Sequence, residues 1–165
     1  MESRSLFSVL ILLFFSSLSM GQATANFTAS VTIIQPVGIT TTTNMDFANL
    51  DAKTGGEVIL TPDNIRITNG GVEIAEGGQV SAASFEVTGQ SGFTFAITLP
   101  QDQYLLTNGN ENITIRDFTS NFEGAAILAH GSKRFSIGAT LDIKPNQTPG
   151  NYVSQEPLNV TVNYN

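Results

Sequence analysis

The side chains that could carry out chemistry are few and scattered. His130 is the only histidine and cysteine is absent. A hydrolase triad would need this histidine as its base, and the sequence contains no nucleophile-elbow motif around a serine. One histidine without cysteine cannot supply a zinc cluster either. We therefore interpret His130 as a solvated loop residue and predict neither a catalytic triad nor a zinc site.

Paired carboxylates are the remaining route to catalysis. Glu73 with Glu76, or Asp102 with Glu111, could act as the acid and base of a glycosidase. These residues lie beside turns in an acidic chain, where such pairs arise by chance. A calcium site near residue 110 would lack the spacing of an EF-hand loop, and its candidate ligands are Asp102, Asn108, Asn110 and Glu111. We expect no enzyme activity and no cofactor, and we assign no metal ligand.

The charge balance restricts the partners. The formal net charge is −7 and the sequence pI is about 4.4. Lys133 and Arg134 form the only adjacent basic pair. Nucleic acids and anionic membranes attract basic surfaces. We therefore expect no nucleic-acid partner.

Residues 1–25 have the pattern of a secretory signal peptide. Arg4 supplies the positive charge, residues 6–18 are almost wholly apolar, and Ala23-Thr24-Ala25 gives a cleavage site before Asn26. The apolar run is shorter than the ~20 residues that a spanning helix needs. We predict a mature single domain of residues 26–165, without a transmembrane segment, that is secreted or lies at the outer cell surface.

Apolar and polar residues alternate along the mature chain, which is the pattern of half-buried strands. Turn signals recur between the strands, and we interpret Asn69-Gly70-Gly71 as a hairpin that joins residues 65–68 to residues 72–74. Only residues 124–131 favour a helical turn. The pattern predicts an all-β, immunoglobulin-like antiparallel β-sandwich of roughly seven to eleven short strands.

Apolar and polar residues alternate at both ends of the mature chain. Residues 26–34, which we call the N-terminal segment, carry one apolar face, formed by Phe27, Ala29, Val31 and Ile33. Residues 158–164 predict a final strand with a second apolar face, formed by Leu158, Val160, Val162 and Tyr164. Each face could belong to an ordinary strand of a self-complete sandwich or to a strand exchanged between molecules.

Aromatic residues raise the question of a ligand platform. Phe85, Phe93 and Phe95 could stack on a sugar, but their alternation on apolar faces predicts that they belong to the core. The loops offer only three aromatic candidates for ligand contacts, namely Tyr104, Phe122 and Tyr152.

Several stretches carry a resemblance to a known family: residues 32–40 (TIIQPVGIT) with 45–48 (MDFA), 84–89 (SFEVTG) with 92–100 (GFTFAITLP), 137–141 (IGATL), 150–152 (GNY) and 160–164 (VTVNY). Together they resemble the bacterial exported domain-of-unknown-function family 4402, over nearly all of the mature chain. The resemblance implies no catalytic residues.

The ending is also distantly similar to subunits of chaperone–usher pili, in which a penultimate tyrosine closes an alternating C-terminal strand. Tyr164 takes that place. The chain departs from those subunits because it lacks cysteine and because Gly150 lies farther from the end than their usual glycine.

These patterns predict a non-enzymatic structural or adhesive protein of the cell surface, of the pilus-subunit kind. We expect self-association or association with other surface proteins. The apolar face at Phe27–Ile33 would be donated, and the face at residues 158–164 would receive it. The alternative is a secreted module that binds a carbohydrate or another small ligand, for which the sequence offers little support.

Overall fold

A computed structural model describes residues 21–122 and 124–165 of the chain. Most of the predicted signal peptide, residues 1–20, lies outside the described residues. Ile34–Asn165 form one compact unit, and the residues before Ile34 belong to a separate unit.

The compact unit is built from strands and turns, and no helix occurs among the described residues. The all-β class is therefore confirmed. Thirteen strands are present, more than predicted, because four of them contain only two or three residues. In chain order they are β1 (Gly38–Thr43), β2 (Leu50–Asp51), β3 (Gly56–Leu60), β4 (Arg66–Gly70), β5 (Glu73–Ile74), β6 (Ala83–Thr88), β7 (Thr94–Thr98), β8 (Tyr104–Thr107), β9 (Asn112–Ser120), β10 (Ala125–Ile127), β11 (Ser132–Ile143), β12 (Val153–Ser154) and β13 (Thr161–Tyr164).

Eight strands form the large sheet, in the order β1-β6-β11-β9-β8-β12, with β3 added to β11 and β4 added to β3. The 12-residue strand β11 is the centre of this sheet. It pairs with β9 along one edge and with β6 and then β3 along the other. The small sheet has three strands in the order β10-β7-β13, and β2 pairs separately with β5. This arrangement is consistent with the predicted antiparallel sandwich.

The buried apolar residues form two clusters. The closed core lies at the small sheet and consists of Val87, Phe95, Leu128, Phe135 and Ile137. The open core lies on the rest of the large sheet and under the connecting segments, and consists of Phe47, Val58, Leu60, Val72, Ile113, Ile115, Ala139, Leu141 and Ile143. The two cores differ in what covers them, and this difference positions the candidate site.

The hairpin predicted at Asn69-Gly70-Gly71 is wrong. β4 pairs with β3, whereas β5 pairs with β2. The glycines instead allow two backbones to approach: the Gly71 N–H donates to the Gly55 carbonyl at 2.7 Å, and a Cβ on Gly70 would lie 3.0 Å from that oxygen. Glycine in a strand often marks such a close approach.

The helical turn predicted within residues 124–131 is also wrong, because β10 adds to the edge of the small sheet. Ala126 lies opposite Phe95 of β7. The backbone of this short apolar run obtains its hydrogen bonds from a neighbouring strand, which overrides a weak local preference for helix.

The two segments with an alternating pattern, at the start and at the end of the mature chain, differ in structure. Residues 26–34 carry no strand in the structure, so their interpretation as an ordinary strand of a self-complete sandwich is wrong: a strand requires a hydrogen-bonded neighbour, and the described residues provide none. In the final run the alternation is confirmed, since its apolar side chains are half-buried and Asn159, Thr161 and Asn163 are exposed. The strand covers only Thr161–Tyr164.

Candidate functional site

A groove of about 1700 Å³ opens along the open core. Its floor consists of buried side chains of the large sheet, among them Ile113, Ile115, Leu141 and Ile143. Its walls come from connecting segments, including residues 44–53 and 146–152. Loops pack less regularly than a second sheet, so a groove remains over floor side chains that are themselves only 2–7% exposed.

The residues just before β13 adjoin this groove. β13 pairs with β7 along one edge, and among the described residues no strand pairs with its other edge. Leu158 and Val160, just before β13, line the groove. We call residues 158–164 the acceptor edge.

The pairing of β13 with β7 stops because position 100 is a proline. Thr161 lies opposite Thr98, so a continued ladder would place Asn159 opposite Pro100. Proline has no N–H to donate, and it ends a strand. The backbone of residues 158–160 is therefore left outside the ladders of the described structure, although its apolar side chains are half-buried.

The four residues predicted as a receiving face divide between the two cores. Leu158 packs against the open core, whereas Val160, Val162 and Tyr164 pack against the closed core. The Tyr164 ring lies 5.4 Å from the Phe93 ring. The acceptor edge thus runs from the groove to the covered part of the sandwich.

The Tyr164 hydroxyl ties the end of the chain to its beginning. It accepts the Gln90 N–H at 2.6 Å and donates to the Gln35 carbonyl at 2.7 Å. The Gln35 N–H donates to Gln90 Oε1 at 3.2 Å. A Cβ on Gly89 would collide with the Tyr164 hydroxyl, so glycine is needed there. We call these contacts the Tyr164–Gln35 clasp.

Sequence reasoning missed three of the four residues in this clasp. Gln35 and Tyr164 are 129 positions apart, and no local spacing pattern can indicate such a contact. Only Tyr164 carried a signal, namely its position in the final alternating run.

The predicted donor residues lie outside the compact unit. Phe27 is 91% exposed, Val31 86% and Ile33 91%, and Ala29 is exposed as well. An apolar face this exposed is unfavourable in water.

The residues considered for chemistry lie at the surface. His130 is exposed in a turn, as predicted, and Glu73, Glu76 and Asp102 are exposed. Within the described part of the chain, no three His, Cys, Asp or Glu residues are grouped so that they could hold a metal ion. A helix of membrane-spanning length and hydropathy does not occur among the described residues.

Hydrogen bonds hold the carboxylate of Glu111 in place. Its carboxylate accepts hydrogen bonds from Gln147 Nε2 at 2.7 Å and from the Thr148 N–H at 3.1 Å. Hydrogen bonding by Thr148 is the main cause that lowers the pKa of Glu111. A lowered pKa keeps the carboxylate ionised, which is unsuited to a general acid at neutral pH. In the candidate calcium loop, Asn108 Oδ1 accepts the N–H groups of Asn110 and Glu111.

The three aromatic residues predicted to lie in loops are half-buried and form no exposed platform. For Tyr104 the loop position is wrong, because it begins β8. Tyr104 packs edge-on against Phe118 with 6.0 Å between ring centroids, and Phe122 packs edge-on against Phe95 at 5.8 Å. The Tyr152 hydroxyl donates to the Thr148 carbonyl at 2.7 Å.

The phenylalanines assigned to the core lie there in two of three cases. Phe95 is fully buried, and Phe85 stacks on Phe135 with 5.2 Å between ring centroids. Phe93 remains 38% exposed, with one side of its ring against Tyr164.

Antiparallel sheets around a divided apolar core, with a groove beside a strand that is unpaired along one edge, define an all-β protein consistent with a β-sandwich. A family model described as a domain of unknown function (DUF4402) matches residues 37–164. The chain therefore belongs to the DUF4402 family. No curated protein and no solved structure matches it. The distant similarity to chaperone–usher pilus subunits stays a prediction.

Proposed function

We propose that this protein is an exported, non-enzymatic subunit with a structural or adhesive role at the cell surface, and that its copies associate by strand addition. One observation carries the proposal: an apolar groove adjoins an unpaired acceptor edge in a chain whose N-terminal segment exposes an alternating apolar face. Strand addition joins such surfaces, because main-chain hydrogen bonds supply affinity and alternate side chains enter pockets.

The dimensions of the two parts agree. At about 3.4 Å per residue, the N-terminal segment extends roughly 30 Å, enough to follow the whole acceptor edge. Its four apolar side chains would then lie on the same face as the apolar side chains of the acceptor edge, and Thr28, Ser30 and Thr32 would point to solvent. Full burial of a Phe, Val or Ile side chain contributes about 1.5–3 kcal/mol, so this face supports association.

Export follows from the predicted signal peptide. Cleavage after Ala25 would place Asn26 at the new N-terminus, directly before Phe27. The N-terminal segment would then begin the mature chain, free at one end to reach a neighbour. Because the chain has no cysteine, both its folding and its assembly would proceed without disulfides and rely on non-covalent contacts.

The state of association tests the proposal. Light scattering of purified residues 26–165 should show multimers, and deletion of residues 26–34 should leave a folded monomer. The matched pair Val31→Asp and Ser30→Asp adds the same charge to opposite faces: only Val31→Asp should abolish multimers. A monomer for residues 26–165, or equal effects of the two substitutions, would refute strand addition.

A peptide of residues 26–34 supplies a second readout. Added to the deletion variant, it should raise the free energy of unfolding by about 2.7 kcal/mol at a hundredfold excess over its Kd, since ligands that bind only the folded state stabilise it. A peptide in which Val31 is replaced by Asp is the control and should give no stabilisation.

Binding of a small ligand is the competing function. The groove is larger than the ~300–1,000 Å³ of usual ligand pockets, and the loop aromatics are half-buried. These features favour an extended peptide as the occupant. A soluble oligosaccharide that stabilised the monomer in the same unfolding measurement, where the peptide did not, would favour the competing function.

A further inference from the structure

We infer that the Tyr164–Gln35 clasp selects the partner in strand addition, so that the N-terminal segment pairs with the acceptor edge of a second copy and not with its own. This inference rests on the proposed function and adds to it the identity and the direction of the incoming strand.

The clasp fixes the point at which the N-terminal segment begins its path. Gln35 is held through its carbonyl by Tyr164 and through its N–H by the side chain of Gln90. Tyr164 is held in turn by the Gln90 N–H and by contact with the Phe93 ring. Ile34, the last residue of the N-terminal segment, is therefore tethered near the C-terminal end of the acceptor edge.

This tether restricts the direction of any pairing within one molecule. With Ile34 near Tyr164, the segment could follow its own acceptor edge only with residue 26 towards Leu158. Both strands would then run the same way, which is a parallel pair. An antiparallel pair would require Ile34 near Leu158, about 20 Å away along the strand, whereas successive Cα atoms are only about 3.8 Å apart. The clasp would have to break.

A second copy is free of this restriction. Its segment can enter antiparallel to the acceptor edge while its own clasp stays closed. All the strand pairs described in this chain are antiparallel, and antiparallel ladders are slightly more stable per residue than parallel ones. The intact clasp thus favours pairing between molecules.

Introduced cysteines can report the direction of pairing, because the natural chain has none. Thr32 and Asn159 would lie opposite each other in an antiparallel pair centred on Ser30 and Thr161, whereas Thr32 would lie opposite Asn163 in a parallel pair. Mixing Thr32→Cys protein with Asn159→Cys protein under mild oxidation should give a disulfide-linked dimer, which can form only between molecules. The double variant Thr32→Cys/Asn163→Cys should give little intrachain product.

Loss of the clasp should allow the N-terminal segment to pair with the acceptor edge of its own molecule. Tyr164→Phe keeps the ring against Phe93 and removes both hydroxyl hydrogen bonds. In the double variant Thr32→Cys/Asn159→Cys, whose cysteines can pair within one molecule or between two, it should lower the ratio of interchain to intrachain disulfide about tenfold, since the hydroxyl no longer donates to Gln35 or accepts the Gln90 N–H. Thr107→Val is the matched control: its hydroxyl also makes two hydrogen bonds, to Glu111 and Gly109, and it lies outside the groove, so it should leave the ratio unchanged.

A milder variant protects the test against misfolding. Gln90→Ala removes the side chain whose Oε1 holds the Gln35 N–H and keeps the backbone N–H that donates to Tyr164, so it should shift the disulfide ratio in the same direction by a smaller factor. A ratio that stays unchanged in both Tyr164→Phe and Gln90→Ala, while multimers persist in light scattering, would overturn the role of the clasp and leave the proposed function intact. A natural protein that forms no multimers would overturn both.

Discussion

The closed core and the open core share one large sheet but are covered in different ways. Over the closed core lies the small sheet, in which β7 pairs with β10 on one side and with β13 on the other and Phe95 packs edge-on against Phe122. Over the open core lie connecting segments, held by side-chain hydrogen bonds such as that from Gln147 to Glu111. A second sheet excludes water along its whole face, whereas loops tied at single points leave a groove.

The difference begins at one place in the sequence. Pro100 follows β7 and ends both β7 and its pairing with β13. The small sheet therefore stops short of the open core, and Leu158 and Val160 lie beside the groove instead of within a ladder. Pro100, which has no N–H, thus lies at the boundary between the closed core, which the small sheet covers, and the open core, which connecting segments cover.

Leu128→Ala should have the largest effect on stability. Leu128 is fully buried in the closed core, where the surrounding sheets cannot collapse into the space left by the lost atoms. We expect a loss of about 4 kcal/mol in the free energy of unfolding, measured by urea denaturation. A loss below about 2 kcal/mol would show that the closed core is not rigidly packed.

Leu141→Ala makes the same chemical change in the open core. Leu141 is 4% exposed and lines the groove, so the lost atoms enlarge a space that already exists. We expect a loss of about 2 kcal/mol, at the lower end for leucine truncation. If the same urea measurement gave equal losses for both leucines, the distinction between the two cores would fail.

Gly89→Ala tests the border of the closed core at the acceptor edge. The new Cβ would collide with the Tyr164 hydroxyl and approach Leu128 Cδ1 at 3.0 Å. Overpacking of this kind costs about 1–3 kcal/mol, and urea denaturation should show it. Adding Tyr164→Phe removes the colliding oxygen and should restore part of the loss. Strictly additive losses in the double variant would argue against this contact.

The fold was predictable where local pattern and tertiary pairing agree. The alternation in residues 158–164 and around Phe95 gave the correct faces, because a strand with one buried face needs a period of two. Residues 26–34 have an equally clear pattern but no strand, since periodicity cannot show whether a neighbouring strand is present.

The candidate site was predictable only in part, for the same reason. The acceptor edge could be located from its own sequence, but the groove depends on how far β7 extends, and the clasp joins Gln35 to Tyr164 across 129 positions. Glycine was misleading as well: Gly70 suggested a hairpin turn, and its actual role is to let two backbones approach. Such contacts depend on topology, which a single sequence does not encode locally.

Acid should loosen the cover of the open core before that of the closed core, and this is the smallest expected effect. Hydrogen bonding by Thr148 lowers the pKa of Glu111 below its ordinary value of 4.5. A carboxyl group with a lowered pKa in the folded state stabilises that state above its ordinary pKa, and this contribution is lost as the pH falls through the folded value. Amide exchange at Thr148, followed by NMR, should therefore accelerate below about pH 4.5 relative to the intrinsic rate.

Glu111→Gln should remove the acid-dependent part of this exchange, because the amide cannot titrate, and should leave exchange at Leu128 in the closed core unchanged. Asp102→Asn, at an exposed position before β8, is the matched control and should keep the natural acid response. An acid response at Thr148 that survived in Glu111→Gln would mean that another group holds the loop. Apolar packing by Tyr152 and Leu158 would then cover the open core, just as apolar packing of the small sheet covers the closed core. The two cores would differ only in how completely they are covered.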